Sequence, residues 1–308
     1  MPPQFPPFDS LPIDKLGPPY NAWGLYGPDD ELGRLNLITP ESVKRGKNTI
    51  TEGIAINLKV DSLPLSFFPA HASRKRLEHN MWGGVESVAD IPMTTSSRSI
   101  PRHRLNGTVS DITHIKTGRR RDNTDFVRHP ITSRAHLLDI PSHLSTHSLP
   151  PLSPFSPTSS IPLPLLKACA AESNIHFLPG DILLVRTGFA EAIGELGEEE
   201  REGLRGREVN GSCGVGKGED VWRWHWENGI AAVASDCPSY ENWPTPSSQL
   251  TSHQIFLAGW GLPIGELFKL DELAQKCREL GRWTFMFTSM PLFVEGGVAS
   301  PPNAQAIL

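Results

Sequence analysis

Apolar and polar residues follow one another along the second half of the chain in a pattern that predicts strands alternating with helices. Nearly all-apolar runs, typical of buried strands, occur in ITSRAHLLDI, GDILLVRTGF, IAAVASD and WTFMFTSMPL. Segments with helical character lie between and around them: PLPLLKACAAESNI, AEAIGELGEEEREGLRG, EDVWRWHWENG and LDELAQKCRELGR. Because strands and helices alternate here, the pattern favours the α/β class with a mixed sheet.

The first half of the chain carries a weaker signal. Residues 1–20 are rich in proline and predict an extended arm; turns and then a helix follow, with Thr39 as its N-cap and a proline in its first turn. The alternating segment GIAINLKV predicts a strand. Residues 61–130 lack periodicity and predict mostly loops. Since no convincing linker occurs, we expect the arm to be followed by a single domain over residues 21–308.

Composition and charge narrow the classes of function. The 308 residues are 38% hydrophobic and 20% charged, which is enough to bury a sizeable core. A net charge of −5 gives no sign of a nucleic-acid partner, and no run approaches the roughly 20 apolar residues that span a bilayer. The N-terminus lacks the basic start and apolar centre of a signal peptide, and the cysteines are too far apart for a disulfide framework. We therefore expect a cytoplasmic protein without a membrane partner.

One apolar segment carries proton-active groups at both ends. SHQIFLAGWGLPIGEL places His253 near its start and Glu266 near its end, with almost nothing polar between them. A strand and a turn with polar ends would explain this segment, and so would half of an active site. A continuous strand would hold the two residues roughly 40 Å apart, so they can meet only if the glycines and the proline reverse the chain. We expect this reversal, with both side chains facing one pocket.

Several segments resemble the cyclase family, the metal-dependent hydrolases that include bacterial kynurenine formamidase. The resemblance is carried, in the family's order, by GDILLVRTGF, IAAVASDCPSYE, HQIFLAGWGLPIGEL and SMPLFVEGGVASPPNAQAIL. The N-terminal NAWGLYGPDDELGRLNLIT resembles the start of a longer branch that is common in filamentous fungi. The resemblance implies a swivelling β/β/α fold around a mixed, barrel-like central sheet, in a homodimer or tetramer.

In that family, the metal is bound by a box of the form HxGTHxDxPxH and by a later His and Glu, which His253 and Glu266 match. The best match to the box is NMWGGVESVADIP, which is marked by its tryptophan, Trp82. Other residue types stand at the box's ligand and histidine positions: Leu77, Met81, Gly83 and Ser87. Because two remaining donors are too few for tight zinc binding, we expect no catalytic metal and no other cofactor.

A second segment imitates part of the box. HLLDIPSHL supplies His136, Asp139 and His143, with His147 nearby, although the spacing between the first two is one residue too long. In the family's order this segment takes the place of a structural strand, so we interpret it as a strand end followed by a solvated loop. We expect His143 and His147 to be surface residues without a catalytic role. Whether His136, Asp139 and His143 form a replacement metal site stays open.

Without a metal, a pocket with one or two proton-transferring groups suits ring closure better than amide hydrolysis. The candidate acid–base residues are His253, Glu266, Asp236 and Glu86. The candidate substrate-binding residues are Trp23, Tyr26, Met81, Trp82, Val85 and Trp260. By family analogy we expect a metal-independent cyclase of fungal secondary metabolism, acting on a small oxygenated apolar metabolite such as a polyketide. The alternatives are a metal-dependent hydrolase of an amide or ester and a catalytically inactive binding protein.

Overall fold

A curled, mixed sheet of seven strands forms the centre of the computed structural model. The structure describes residues 6–58, 128–205, 207, 211–246, 248–291 and 303–308. The strands are β1 (Ala55–Asn57), β2 (Ile131–Asp139), β3 (Ser160–Ile161), β4 (Ile182–Arg186), β5 (Gly214–Val215), β6 (Ala232–Ser235), β7 (Ile264–Gly265), β8 (Thr284–Ser289) and β9 (Ala304–Ile307). The order in the large sheet is β1-β9-β8-β2-β4-β6-β7, and β3 pairs with β5 separately.

Helices cover the sheet on both faces. They are α1 (Pro40–Lys47), α2 (Ile140–Thr146), α3 (Leu163–Glu172), α4 (Phe189–Glu195), α5 (Glu198–Arg205), α6 (Glu219–Glu227) and α7 (Asp271–Leu280). A π-helix spans Gln254–Trp260, and 3-10 turns span Phe8–Ser10 and Gly33–Leu37.

The direction of the strands makes the sheet mixed, as the sequence pattern predicts. The strands β2, β4, β6 and β7 pair in parallel, whereas β8 and β9 pair antiparallel and join β2 to β1. The four apolar runs of the second half coincide with β2, β4, β6 and β8. The predicted α/β class and the barrel-like curvature of the sheet are therefore confirmed.

The core lies on both faces of the sheet because successive strand residues point in opposite directions. On β4, Leu183 and Val185 face an apolar cluster that includes α3, α6 and the N-terminal segment. Leu184, between them, faces a second cluster that includes α7 and β9. Strands buried on both faces need apolar residues at nearly every position, which is why these runs are visible in the sequence.

The described part of the N-terminal arm packs against its own chain. Phe8 is 2% exposed, stacks on Tyr20 with ring centroids 5.5 Å apart, and meets the edge of Trp260. The indole N–H of Trp226 on α6 donates a hydrogen bond of 2.8 Å to the carbonyl oxygen of Pro6. The arm thus covers the cluster around α6.

Several element boundaries differ from those that the sequence pattern predicts. The strand in GIAINLKV is restricted, within the described residues, to β1, and the acidic helical stretch is divided into α4 and α5. The segment after His253 forms a π-helix where the simplest interpretation predicts a strand. The helix after Thr39 is confirmed, with the Thr39 side chain accepting from the backbone N–H of Ser42. Within the described residues, no helix has the length and apolar character needed to cross a bilayer.

Candidate active site

The chain reverses between His253 and Glu266 and brings their side chains together. The π-helix that follows His253 ends at Trp260, and the next residue, Gly261, has a φ of +62°, in the left-handed region that glycine adopts freely. The chain then enters β7, and Glu266 comes directly after that strand. As a result, the His253 Nε2–H donates to Oε1 of Glu266 across 2.9 Å. The predicted reversal is confirmed.

A second carboxylate, Glu241, holds the other side of the imidazole. The His253 Nδ1–H donates to Glu241 Oε2 at 2.7 Å, and the backbone N–H of His253 donates to Glu241 Oε1 at 3.2 Å. The three side chains form a row, Glu241–His253–Glu266, with the imidazole in the middle. Two hydrogen bonds from one residue to one carboxylate fix the position and the orientation of the ring.

Strand β5 fixes the position of Glu241 in the loop after β6. The backbone N–H of Val215 donates to the carbonyl oxygen of Tyr240 at 2.9 Å, and that of Asn242 donates to Val215 at 3.0 Å. A Cβ at Gly214 would lie 2.5 Å from the carbonyl carbon of Glu241, so only glycine allows this close approach. Glu241 is not among the residues predicted from the sequence, although it ends IAAVASDCPSYE, a segment that carries the family resemblance and could have indicated it.

Each charge in the row has an opposite charge beside it, and these contacts shift the pKa values of Glu241 and His253. Burial raises the pKa of Glu241, but the charge and hydrogen bonds of His253 outweigh burial and lower the pKa below its ordinary value. Burial likewise disfavours the imidazolium, but Glu241 and then Glu266 outweigh it and raise the pKa of His253 well above 6.5. Both carboxylates therefore favour the imidazolium form of His253.

Solvent reaches the row from one end only. The Glu241 side chain is 2% exposed, whereas the side chains of His253 and Glu266 are 26% and 22% exposed. A small molecule can therefore reach the side chains of His253 and Glu266, with Glu241 behind them. This arrangement can donate a proton from the imidazolium and accept one at Glu266.

Asp236, another candidate acid–base residue, makes different contacts. It is fully buried and accepts hydrogen bonds from the backbone N–H and hydroxyl of Thr187, at 2.7 Å and 2.8 Å, and from the N–H of Gly188 at 2.8 Å. Burial raises the pKa of Asp236 to about 6, although those donors act against it. Its hydrogen bonds tie the end of β6 to the turn that starts α4.

The three candidate substrate-binding aromatics within the described residues have unlike surroundings. Trp23 is half-buried and donates from its indole N–H to the carbonyl oxygen of Ala258 on the π-helix, at 2.8 Å. Burial raises the pKa of the half-buried Tyr26 hydroxyl. Trp260 is 2% exposed and packs against Phe256, with ring centroids 5.0 Å apart, so its ring contributes to the core.

The remaining candidates lie in residues 59–127, outside the described residues. They are Met81, Trp82, Val85 and Glu86. Their assignment to the pocket stays a prediction from the sequence.

The segment HLLDIPSHL does not bring His136, Asp139 and His143 to one point. The buried ring of His136 bonds to Thr284 at 2.9 Å and to Asp181 at 3.0 Å. Asp139 accepts from two arginines, each at 2.6 Å, and caps α2. His143 turns towards Glu172 on α3. These different partners exclude the replacement metal site that the sequence left open.

One expectation about this segment is wrong. His143 is 8% exposed, so it is not the surface residue that the sequence analysis predicts, because α2 packs its inner face against α3. His147, at the end of α2, has a side chain that is 49% exposed, as expected. The predicted solvated loop is in fact a short helix, with its cap at Asp139.

The family resemblance implies a metal at His253 and Glu266, and the donors that the described residues offer there do not fit one. The two nitrogens of an imidazole point in opposite directions, so an ion at Nε2 of His253 could reach Glu266 but not Glu241. The row thus offers an ion two donors, whereas zinc typically takes about three from the protein, plus water. The segment that best matches the box in sequence, with Leu77, Met81 and Gly83 at its ligand positions, lies outside the described residues, so its lack of ligands stays a prediction.

Comparisons with known proteins agree with this fold. The Cyclase family model matches residues 68–242. A crystal structure of a novel cyclase is similar to the chain, with 26% sequence identity, a TM-score of 0.72, and coverage of 94% of this chain and 99% of that one. No curated protein matches the chain in sequence.

Two hydrolases match more weakly. An isatin hydrolase bound to the product analogue thioisatinate has 18% identity and a TM-score of 0.43, over 58% of this chain and 60% of that one. Isatin hydrolase A from Labrenzia aggregata, bound to benzyl benzoate, has 15% identity and a TM-score of 0.41, over 70% of this chain and 66% of that one. Similarity at this level carries no argument about the site.

Proposed function

Because this chain belongs to the Cyclase family, and is accordingly an enzyme of cyclase or hydrolase type, we propose that it is a metal-independent cyclase. It closes a ring in a small, oxygenated, largely apolar metabolite such as a polyketide, in fungal secondary metabolism. The observation that carries the proposal is the row Glu241–His253–Glu266, in which an imidazolium is held at both nitrogens by carboxylates. A small molecule is the partner, and the working form is a homo-oligomer.

In the proposed reaction, a hydroxyl group of the folded substrate adds to a carbonyl group of the same molecule. Glu266 accepts the proton of the attacking hydroxyl as the new C–O bond forms. The carbonyl oxygen takes a proton from Nε2 of His253, so that no charged oxygen is left on the product. Glu266 then returns its proton to His253 across the 2.9 Å that separates them, and the row is restored.

Glu241 acts as a positioning residue in this scheme. It lies behind the imidazole, is nearly inaccessible, and keeps His253 protonated and correctly oriented. Holding a flexible substrate folded beside the row can lower the barrier by several kcal/mol more, since intramolecular reactions gain greatly from orientation. Trp82 and Glu86, which lie outside the described ranges, remain candidates for the pocket from the sequence alone.

The second candidate function is metal-dependent hydrolysis of an amide or ester. One observation favours it: a buried carboxylate at Nδ1, as Glu241 provides, is the usual partner of a histidine that binds metal through Nε2. Against it stands the number of donors: within the described residues the row offers an ion only two, and the sequence predicts leucine, methionine and glycine at the box positions.

A turnover experiment with and without chelator separates the two functions. The purified chain is incubated with a panel of hydroxy-ketones and hydroxy-acids of polyketide size, and with their amide and ester analogues, and products are followed by mass spectrometry. We expect ring closure that persists in EDTA and falls by roughly 10²-fold in Glu266→Gln and His253→Gln. Glu195→Gln, an exposed carboxylate on α4, is the charge-matched control and should leave the rate unchanged. Activity that disappears in EDTA and returns with zinc or manganese would establish the hydrolase-type site instead.

A further inference from the structure

A second cluster of chemically active side chains lies away from the row, where α2 and α3 meet. It consists of His143 in the last turn of α2, His147 just after that helix, and Glu172 at the end of α3. Each residue presents one donor atom, and the three atoms lie within 4.8 Å of one another. Within the described residues, this is the one group of three or more such side chains with this geometry.

The hydrogen bonds of the cluster already aim both imidazoles at one carboxylate. The His143 Nδ1–H donates to Oε2 of Glu172 in a very short contact, and the His147 Nε2–H donates to Oε1 of the same residue at 3.2 Å. The two rings lie side by side, with centroids 4.6 Å apart. Two nitrogens and a carboxylate are thus gathered before any ion arrives, so little ordering remains to be done on binding.

The location favours a cation. The C-terminal ends of α2 and α3 both carry the partial negative charge of unsatisfied carbonyl groups. Glu172 adds a full negative charge at the end of α3, where a carboxylate normally weakens a helix. His143, with a side chain only 7% exposed, fixes one side of the cluster, whereas His147 and Glu172 are 49% and 42% exposed and leave room for water.

We propose that His143, His147 and Glu172 form a zinc-binding site that joins α2 to α3. Two imidazole nitrogens and one carboxylate, with water in the fourth position, are a donor set that zinc accepts. The ion replaces the two protons that now bridge the side chains. Since α2 follows β2 directly, the bound ion also fixes the end of a central strand. This site lies outside the Glu241–His253–Glu266 row, and the inference does not rest on the proposed function.

The test uses the full chain, freed of metal by a chelator and then titrated with zinc chloride. Affinity is measured by competition with a chromophoric chelator, and unfolding temperature is measured with and without zinc. We expect one zinc ion per chain and a rise in unfolding temperature. His147→Gln and Glu172→Gln, both at exposed positions that should tolerate the change, should weaken binding about tenfold or more and abolish the rise.

Two control variants make the result specific. His176→Gln removes an exposed histidine in the loop after α3 and should bind zinc like the unaltered chain. His253→Gln removes the imidazole of the row and should also leave zinc affinity unchanged. The proposal is overturned if the unaltered chain binds no zinc, or if His147→Gln and Glu172→Gln bind it with undiminished affinity. It is also overturned if only His253→Gln removes the ion, a result that would contradict the metal-independent cyclase as well.

Discussion

At the scale of single residues, the proposed chemistry depends on the charge of His253. An isolated histidine is mostly neutral at neutral pH, but this imidazole has a carboxylate at each nitrogen and its pKa is raised well above 6.5. In the proposed reaction it therefore begins as an acid and is then reprotonated by a neighbouring carboxylate. Glu266 is positioned for that purpose, because it is both accessible and 2.9 Å from the ring.

We predict that Glu241→Gln lowers the pKa of His253 more than Glu266→Gln does. Glu241 is the buried partner and accepts two hydrogen bonds from His253, whereas Glu266 is partly solvated and accepts one. The measurement is an NMR titration of the imidazole signals in the unaltered chain and in both variants. If neither substitution moves the titration of His253, the row does not hold the proton as described.

The same pKa shift predicts how stability depends on pH. The folded pKa of His253 is above the unfolded value of about 6.5, so the folded state binds the proton more tightly. This contribution to the free energy of unfolding is complete below pH 6.5 and is lost as the pH rises through the folded pKa. Urea denaturation should show a decline over that window, and the decline should be smaller in Glu241→Gln. An equally steep decline in the variant would assign the pH dependence to other groups.

The sequence identifies part of this row and not the rest. His253 and Glu266 stand out because they are polar ends of an apolar segment that glycines interrupt. Glu241 lies twelve residues before His253 in an irregular loop, and its approach depends on β5, a two-residue strand whose pairing no local pattern indicates. Long-range backbone contacts of this kind are invisible to periodicity.

At the scale of elements, the π-helix between His253 and β7 is the clearest departure from the sequence pattern. A short apolar run such as QIFLAGW fits a buried strand or a buried helix equally well, because periodicity cannot separate the two at this length. The tertiary contacts of the segment select the helix. Ile255 and Phe256 are buried in the core, and the backbone N–H of Ala22 donates to the carbonyl oxygen of Gly259 at 2.9 Å. The helix thus connects the row to the N-terminal segment.

We predict that Gly33→Ala destabilises the protein more than Gly53→Ala. Both glycines have φ in the left-handed region, +57° and +69°, so each alanine incurs about 1–2 kcal/mol of backbone strain. At Gly33 the new Cβ would also lie 2.6 Å from the Cα of Gly261 and from the carbonyl oxygen of Trp260, whereas at Gly53 nothing lies within 4 Å. The clash of this Cβ with the backbone adds about 1–3 kcal/mol to the loss of stability.

Urea denaturation of the two glycine variants measures this difference directly. The strain common to both cancels in the comparison, so the excess loss in Gly33→Ala reports the contact with the end of the π-helix. Equal losses in the two variants would mean that the segment containing Gly33 does not approach Gly261 as closely as the structure shows.

At the scale of the whole molecule, the sequence predicts the part of the fold that local patterns determine. The alternating strands and helices of the second half reappear as β2, β4, β6 and β8 with their helices, because each strand is buried on both faces and needs a continuous apolar run. The far edge of the sheet could not be predicted in the same way. There β1 pairs with β9, so that Ile56 lies opposite Ala306, and nothing in either short segment indicates so distant a partner.

The N-terminal arm could be placed in either of two ways, because an extended proline-rich segment can pack on its own chain or wrap a partner subunit. In the structure, Phe8 is 2% exposed within its own chain, where it contacts Tyr20 and Trp260 and lies under the guanidinium of Arg223. We predict that Phe8→Ala lowers the free energy of unfolding by about 3–5 kcal/mol, the usual loss for a buried phenylalanine. Leu16→Ala, at a side chain that is 95% exposed, is the control in the same arm and should change it little.

Dependence on protein concentration separates the two arrangements of the arm. If Phe8 packs within its own chain, Phe8→Ala destabilises by the same amount over a roughly hundredfold range of concentration, and the oligomeric state in analytical ultracentrifugation stays that of the unaltered chain. If the arm instead stabilises a partner subunit, the loss grows on dilution, because dissociation then precedes unfolding. The second result would contradict the intrachain packing of the arm, and the first would leave the predicted homo-oligomer to depend on other surfaces.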